Sequence, residues 1–263
     1  MDLTGSLFGK DITIHAFGVN SGTSILNLND FAVNQSLPVF FGTAGFKLDI
    51  TSSDNTKDVA AGTGARKIKV YGLDANLRPL VEEIALNGQT AVTTVGTFRR
   101  VFAAAVSLVG TDGVQAGDIY VIKTGSSTWA GGVPNTLTAA SVCCKILIAN
   151  GSGYSGYWTV PADLTAVQGG EVPKRTGKLK ALYPSAAVQN VKLLIQVQGN
   201  IGTDNGLVTA YQTVIAGLTA GSAGYIDMEH LNLDYPAGTD IVLKVVPLVA
   251  AGQVAVDLTI HYV

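Results

Sequence analysis

Apolar and polar residues alternate with a period of two along most of this chain. Ile12-Thr13-Ile14-His15-Ala16-Phe17 alternates, as do Phe46-Lys47-Leu48-Asp49-Ile50 and Lys67-Ile68-Lys69-Val70-Tyr71. Asp118-Ile119-Tyr120-Val121-Ile122 and Val254-Ala255-Val256-Asp257-Leu258-Thr259-Ile260 follow the same rule. Successive side chains of a strand point to opposite faces, so each run predicts a half-buried strand. Turn signals separate the runs: Asp54-Asn55, Asn87-Gly88, Asp112-Gly113, Asn150-Gly151, Asn205-Gly206 and Pro236-Ala237-Gly238. No segment carries the stripe and caps of a long amphipathic helix. Short strands with a turn about every ten residues predict an all-β fold of the sandwich or jelly-roll kind.

Strands are expected near 11–18, 39–50, 66–73, 80–87, 95–109 and 118–124 in the first half. In the second half they fall near 141–149, 154–161, 189–198, 207–216, 224–233, 240–247 and 253–263. Between them, Ser126 to Asn135 is small, polar and turn-prone, and reads as a linker or long loop. The expectation is two β-sandwich (jelly-roll-like) lobes, residues 1–130 and 131–263. Parity also places Arg66 on the face of Ile68 and Val70, and Glu82 on the face of Leu80, Ile84 and Leu86. A buried charge is costly without a partner, so each needs one or must sit at the core's rim. Simple hairpin register does not set the two opposite each other.

Composition narrows the function classes. The 263 residues include 17 basic and 19 acidic side chains, a formal charge of −2, with 47% hydrophobic and only 14% charged residues. An average soluble domain has roughly 25% charged residues. So apolar a chain is not intrinsically disordered, and its even charge argues against general nucleic-acid binding. The mean hydropathy of +0.34 raises the question of a membrane span. The apolar run Val101 to Val109 is about half the ~20 residues that a spanning helix needs. The apolar stretch from Ile241 is broken by Lys244, Pro247, Gly252 and Asp257. Met1 to Gly5 lacks the basic and apolar regions of a secretory signal, so export by that route is not expected. Adjacent Cys143 and Cys144 cannot readily bridge each other; alternation sends one inward and one outward as two reduced thiols.

Motifs of chemistry are scarce. Gly151-Ser152-Gly153-Tyr154-Ser155-Gly156 has the letters of a dinucleotide fingerprint, but the sequence after it reads as a strand ending at Pro161, not a helix. Without that helix N-terminus there is no pyrophosphate cradle, and the segment reads as a hairpin loop. Gly169 to Lys178 lacks the spacing of a phosphate loop. His15, His230 and His261 have no ligand spacing, and Glu82 and Glu83 are neighbours that point to opposite faces. No nucleophile elbow is present. No catalytic, cofactor or metal residue is expected, and the chain reads as a non-enzyme. The candidates for contact with other molecules are a basic cluster, Lys174, Arg175, Lys178 and Lys180, and an aromatic set, Trp129, Tyr154 and Trp158 with Tyr157. The cluster would suit an acidic partner surface, although such runs are more often solvated loops. The aromatics would suit a sugar-stacking platform or packing against a neighbouring subunit.

One long motif carries a resemblance. Gly62-Thr63-Gly64-Ala65-Arg66 leads through Gly72-Leu73-Asp74-Ala75-Asn76 and Glu82 to Leu86-Asn87-Gly88-Gln89-Thr90-Ala91-Val92-Thr93-Thr94. Ala116-Gly117-Asp118-Ile119, Tyr157-Trp158-Thr159-Val160-Pro161-Ala162 and Tyr235-Pro236-Ala237-Gly238-Thr239-Asp240 follow in order. This resembles virion structural proteins of tailed bacteriophages, notably marine and cyanobacterial ones, over about two-thirds of the chain. The resemblance implies a non-enzymatic building block of a phage virion: a capsid decoration or cement protein, or a head–tail or tail-associated accessory. It implies other virion subunits as partners and a homo-oligomer, with a trimer favoured, and neither nucleic acid nor membrane. The alternative is a glycan-binding receptor module at a tail tip or fibre.

Overall fold

The computed structural model describes residues 11–20, 26–27, 44–135, 142–155, 157–162, 176–186, 191–200, 207–218, 223–227, 234–247 and 252–262. Among them the chain is all-β, with no helix. In chain order the strands are β1 (Asp11–Asn20), β2 (Leu26–Asn27), β3 (Leu48–Ser52), β4 (Ala65–Leu73), β5 (Pro79–Ala85), β6 (Val92–Thr93) and β7 (Arg100–Val109). There follow β8 (Ile119–Lys123), β9 (Trp129–Ala130), β10 (Val133–Pro134), β11 (Val142–Ile146), β12 (Ser152–Tyr154) and β13 (Tyr157–Thr159). The last are β14 (Thr176–Ala186), β15 (Val191–Asn200), β16 (Leu207–Leu218), β17 (Ile226–Asp227), β18 (Asp234–Pro236), β19 (Asp240–Pro247) and β20 (Gly252–Tyr262).

Strand pairing groups the chain differently from a cut at residue 130. Two antiparallel sheets, β11-β8-β3-β6 and β12-β7-β4-β5, are built entirely from residues 48–154. The other two large sheets, β1-β20-β14-β17 with β18 and β13-β19-β15-β16 with β2, join residues 11–27 to residues 157–262. One lobe is therefore inserted within the other. The Ser126–Asn135 stretch is not a linker but carries the β9–β10 hairpin, in which Val133 pairs with Ala130. Turn-like composition marks a reversal of the chain; it does not say whether a new lobe follows.

The inserted lobe is a sandwich. Leu48, Ile50, Ile68, Val70, Phe98, Val101, Val121 and Ile146 belong to one buried cluster between its two sheets. Tyr120, Ile122 and Val142 point the other way and form a second cluster, roofed by Trp129 and Val133 of the small hairpin. Both faces of β8 are thus covered, which is why its residues 119–122 are all buried despite the half-exposed pattern that alternation predicts. Cys143 and Cys144 both enter the main core, against the expectation of one in and one out. A β-bulge is the reason: Val142 pairs with Ile122 and Cys144 with Val121, so Cys143 is the extra residue and breaks the alternation. Burial, with the neighbouring Cys144, pushes the Cys143 thiol well above its ordinary range. Thiolate is the reactive form, so neither cysteine is expected to react with iodoacetamide at pH 8 until denaturant is added, as intact mass would show.

The two charges flagged by parity find local partners. The guanidinium of Arg66 donates from Nε to the Gly62 carbonyl at 2.6 Å. Glu82 accepts the amides of Val95 at 2.7 Å and Gly96 at 2.9 Å, closing the turn that follows β6. Close approach of β4 to β7 depends on Gly72, where a Cβ would collide with the carbonyl oxygen of Arg100 and crowd the Phe98 ring. Gly72→Ala should therefore cost about 3 kcal/mol, measured by denaturant unfolding, through forced separation of two central strands.

The outer lobe's sheets are amphipathic by register. Across β1, β20 and β14, Ile12, Ile260 and Leu179 share one face with Ile14, Leu258 and Leu182. In the second sheet Leu193, Ile195 and Val197 sit opposite Val245, Leu243 and Ile241. The two sheets approach each other through β1 with β19 and β14 with β16.

Candidate functional site

Gly64, Ala65, Gly88, Ala116 and Gly117 of the long motif converge on one residue, Asp58. This carboxylate is fully buried. Its Oδ1 accepts the amides of Ala65 at 2.8 Å and Ala116 at 2.9 Å. Its Oδ2 accepts the Ser52 hydroxyl at 2.7 Å and the Gly117 amide at 2.9 Å. Four donors satisfy the charge, so burial is tolerated. Gly64 and Gly117 are what let the chain come this close: a Cβ at Gly64 would strike the Asp58 carboxylate, and one at Gly117 would sit 2.6 Å from the Asp54 amide nitrogen. Gly88 donates its amide to the Asp58 carbonyl, and its own carbonyl accepts from Ser52. The remaining motif letters do similar work. Asp74 accepts the amides of Asn76 and Arg78, holding a tight loop in which Leu77 has φ of 59°. Thr94 accepts the Leu48 amide and donates to the Gly96 carbonyl. Each of these motif residues satisfies or admits backbone; among the described residues no group of three His, Cys, Asp or Glu is placed to hold a metal ion.

Asp54 begins the same loop. Its carboxyl is held below the ordinary 3.8, first by the Lys57 amide, against a smaller opposing effect of burial, and then by the amides of Thr56 and Asp58. A depressed carboxyl stabilises the fold above its unfolded value, and that contribution is lost as pH falls through the depressed one. The residue is half-buried and its carboxyl is still screened by solvent, so the effect on overall stability is small.

The second feature is the contact between lobes. Arg100 of β7 makes a two-pronged bridge to Asp240 of β19, Nε to Oδ1 and Nη2 to Oδ2, both at 3.0 Å. Both side chains are buried, and the Thr159 hydroxyl donates to Oδ1 of Asp240, the oxygen that accepts from Arg100 Nε. Tyr157 accepts the Val101 amide at 3.1 Å, and burial pushes its phenol far up, against a smaller opposing effect of Arg100. The Phe102 ring packs on Trp158 at 4.1 Å between centroids and edge-on to Tyr157 at 5.9 Å.

These contacts decide the fate of the aromatic candidates. Trp158 is fully buried in the junction and has no face to offer a sugar. Tyr154 is buried as well, on β12 against β7. Trp129 is half-buried as part of the roof over Tyr120. Gly151–Tyr154 is not part of a hairpin loop: β12 pairs with β7 and β13 with β19, so the chain crosses from one lobe to the other there. Of the basic cluster, Lys178 and Lys180 lie on β14, the latter at a register shift, while Lys174 and Arg175 lie outside the described residues, as does His230.

A surface that the sequence did not single out is the far tip of the inserted lobe. Leu108, Val109, Val114 and Ile148 are 44%, 36%, 47% and 55% exposed. A depression of about 270 Å³ lies beside Val109 and Val114, lined also by Val106, Gln115, Ala149 and Gly151. β7 runs for ten residues from Arg100 to Val109, so this tip is about 30 Å from the junction. The charges nearby are paired with one another: Lys57 with Asp112 at 3.1 Å and Lys145 with Asp118 at 2.7 Å.

No protein-family profile matches this sequence, and no curated protein does. Among solved structures, a structure of the infectious bursal disease virus Gt strain aligns with 96% of this chain and 73% of its own, at 13% identity and a TM-score of 0.23. A structure of the Gx strain gives 95%, 71%, 11% and 0.22. A crystal structure of the infectious bursal disease virus VP2 subviral particle gives 97%, 72%, 12% and 0.21. Likeness of that size carries no argument about this chain.

Proposed function

We propose that this protein is a non-enzymatic structural subunit of a virus particle, and within that class a capsid-decorating or accessory protein of a tailed bacteriophage. Its partners on this reading are neighbouring virion subunits and further copies of itself. The observation that carries the reading is the aliphatic tip. Four large exposed apolar side chains at one end of the lobe, two of which (Val109 and Val114) line a depression, are costly to leave in water, and such patches mark surfaces that other proteins cover. Support also comes from the motif, whose residues serve as scaffold around Asp58 and not as a reactive site. The glycan-binding reading has less support, because two of its three aromatic residues are buried in or beside the lobe junction.

The test is location. Antibody-labelled electron microscopy of purified particles should place the protein on the virion, and Val114→Asp with Ile148→Asp should abolish its incorporation while leaving unfolding unchanged. Absence of the wild-type protein from particles, or undiminished incorporation of the double variant, overturns the proposal.

A further inference from the structure

Asn-Gly pairs recur as turn signals, and the fold holds Asn87-Gly88 and Asn150-Gly151 in opposite ways. Gly88 is buried and its amide donates to the Asp58 carbonyl at 2.9 Å, while Asn87 pairs with Val59 in an isolated bridge. Asn150, in contrast, is exposed in the turn that follows β11. The chain is anchored on both sides of it. The Asn150 amide donates to the Leu147 carbonyl at 3.0 Å, and the Gly151 carbonyl accepts the Val106 amide at 2.8 Å. Between those anchors, the Gly151 amide and the Asn150 carboxamide have no hydrogen-bond partner among the described residues. A Cβ at Gly151 would meet nothing within 4 Å, so the space beside this nitrogen is open. Asn205-Gly206 lies outside the described residues.

We propose that Asn150-Gly151 is a site of self-modification, at which Asn150 deamidates through a cyclic imide and places a carboxylate on the apolar tip. Glycine has no Cβ to keep its neighbour's side chain from the backbone nitrogen. The Gly151 nitrogen, on losing its proton to solvent base, attacks Cγ of Asn150 and closes a succinimide ring. The Cγ–Nδ2 bond breaks, and Nδ2 takes up a proton and leaves as ammonia. Water then opens the ring: attack at Cγ gives aspartate, and attack at the main-chain carbonyl carbon gives an isoaspartyl link through Cβ. The sum consumes water and releases ammonia, with no oxidant or cofactor. Asp112-Gly113, at the same tip, is tied down against the same route. Its carboxylate is held by Lys57 and Thr63, and the Gly113 amide donates to the Gly110 carbonyl at 3.2 Å. Asn150 stands between Ala149 and Gly151, both of which line the depression, so the new carboxylate appears on its rim. The cations nearby, Lys57 and Lys145, are already bound to Asp112 and Asp118. On the reading that this tip docks against another virion subunit, on which this last step rests, conversion puts an unpaired charge into the interface and weakens docking.

Peptide mapping of the full chain, aged under mildly alkaline conditions, tests the site. Asn150 should convert at least about tenfold faster than Asn87, because the Gly88 amide must first leave a buried hydrogen bond. In urea, which frees both amides, the two should convert at comparable rates, and Asn150→Gln should abolish conversion at the tip. Equal conversion at Asn87 and Asn150 in the folded chain, or none at Asn150, overturns the proposal. Asn150→Asp should also enter particles less than the wild type does. Undiminished incorporation of Asn150→Asp, beside exclusion of Val114→Asp with Ile148→Asp, overturns the effect on docking and leaves the docking surface standing.

Discussion

Asp58→Ala is expected to destabilise the protein by about 4 kcal/mol or more, the largest effect of any single polar substitution in the inserted lobe. The carboxylate accepts three backbone amides and a hydroxyl from three separate stretches of chain. Removing it leaves the amides of Ala65, Ala116 and Gly117 without their acceptor, and each buried orphan donor costs about 1–3 kcal/mol. Asp58→Asn keeps the volume but turns an NH₂ toward amide donors, so it should recover little. Urea unfolding of both variants measures the loss; a change below about 1 kcal/mol for Asp58→Ala would sink the view that this residue organises the loops.

Arg100→Ala should cost about 3–5 kcal/mol, because it strands the Asp240 carboxylate in a buried site with the Thr159 hydroxyl as its remaining side-chain partner. Arg100→Lys should be nearly as damaging, since an ammonium cannot reproduce the two-pronged geometry. The pair spans 140 residues of sequence and joins the two lobes. The calorimetric signature is therefore specific: a single unfolding transition in the wild type should separate into two in Arg100→Ala. Replacing both partners, Arg100→Met with Asp240→Leu, should recover most of the loss, since no charge is then left unpaired. If the double variant is no better than the single one, the junction depends on the bridge itself and not on avoiding an orphan charge.

The sequence by itself determined that the fold is all-β and where many of its strands lie, but not β14, whose residues 176–186 carry no clean alternation and read as a basic loop. Alternation marked β1, β3, β4, β8 and β20, and parity singled out Arg66 and Glu82 as charges in need of partners. The motif was legible as a pattern, but its centre was not: Asp58 lies outside every quoted stretch. The lining of the tip was likewise divided among the end of β7, the loop at Val114 and the turn at Ala149, three segments with no shared pattern. Tertiary structure alone decided that β1 closes against β20, roughly 240 residues away, and hence that one lobe sits inside the other. It also decided that Trp158 is core, that both faces of β8 are covered, and that a bulge carries two adjacent cysteines inward. The physical reason is common to all of these. A period of two records that a face is buried, because burial acts on each side chain locally. What covers that face is set by pairing and packing between distant segments, which local periodicity does not encode.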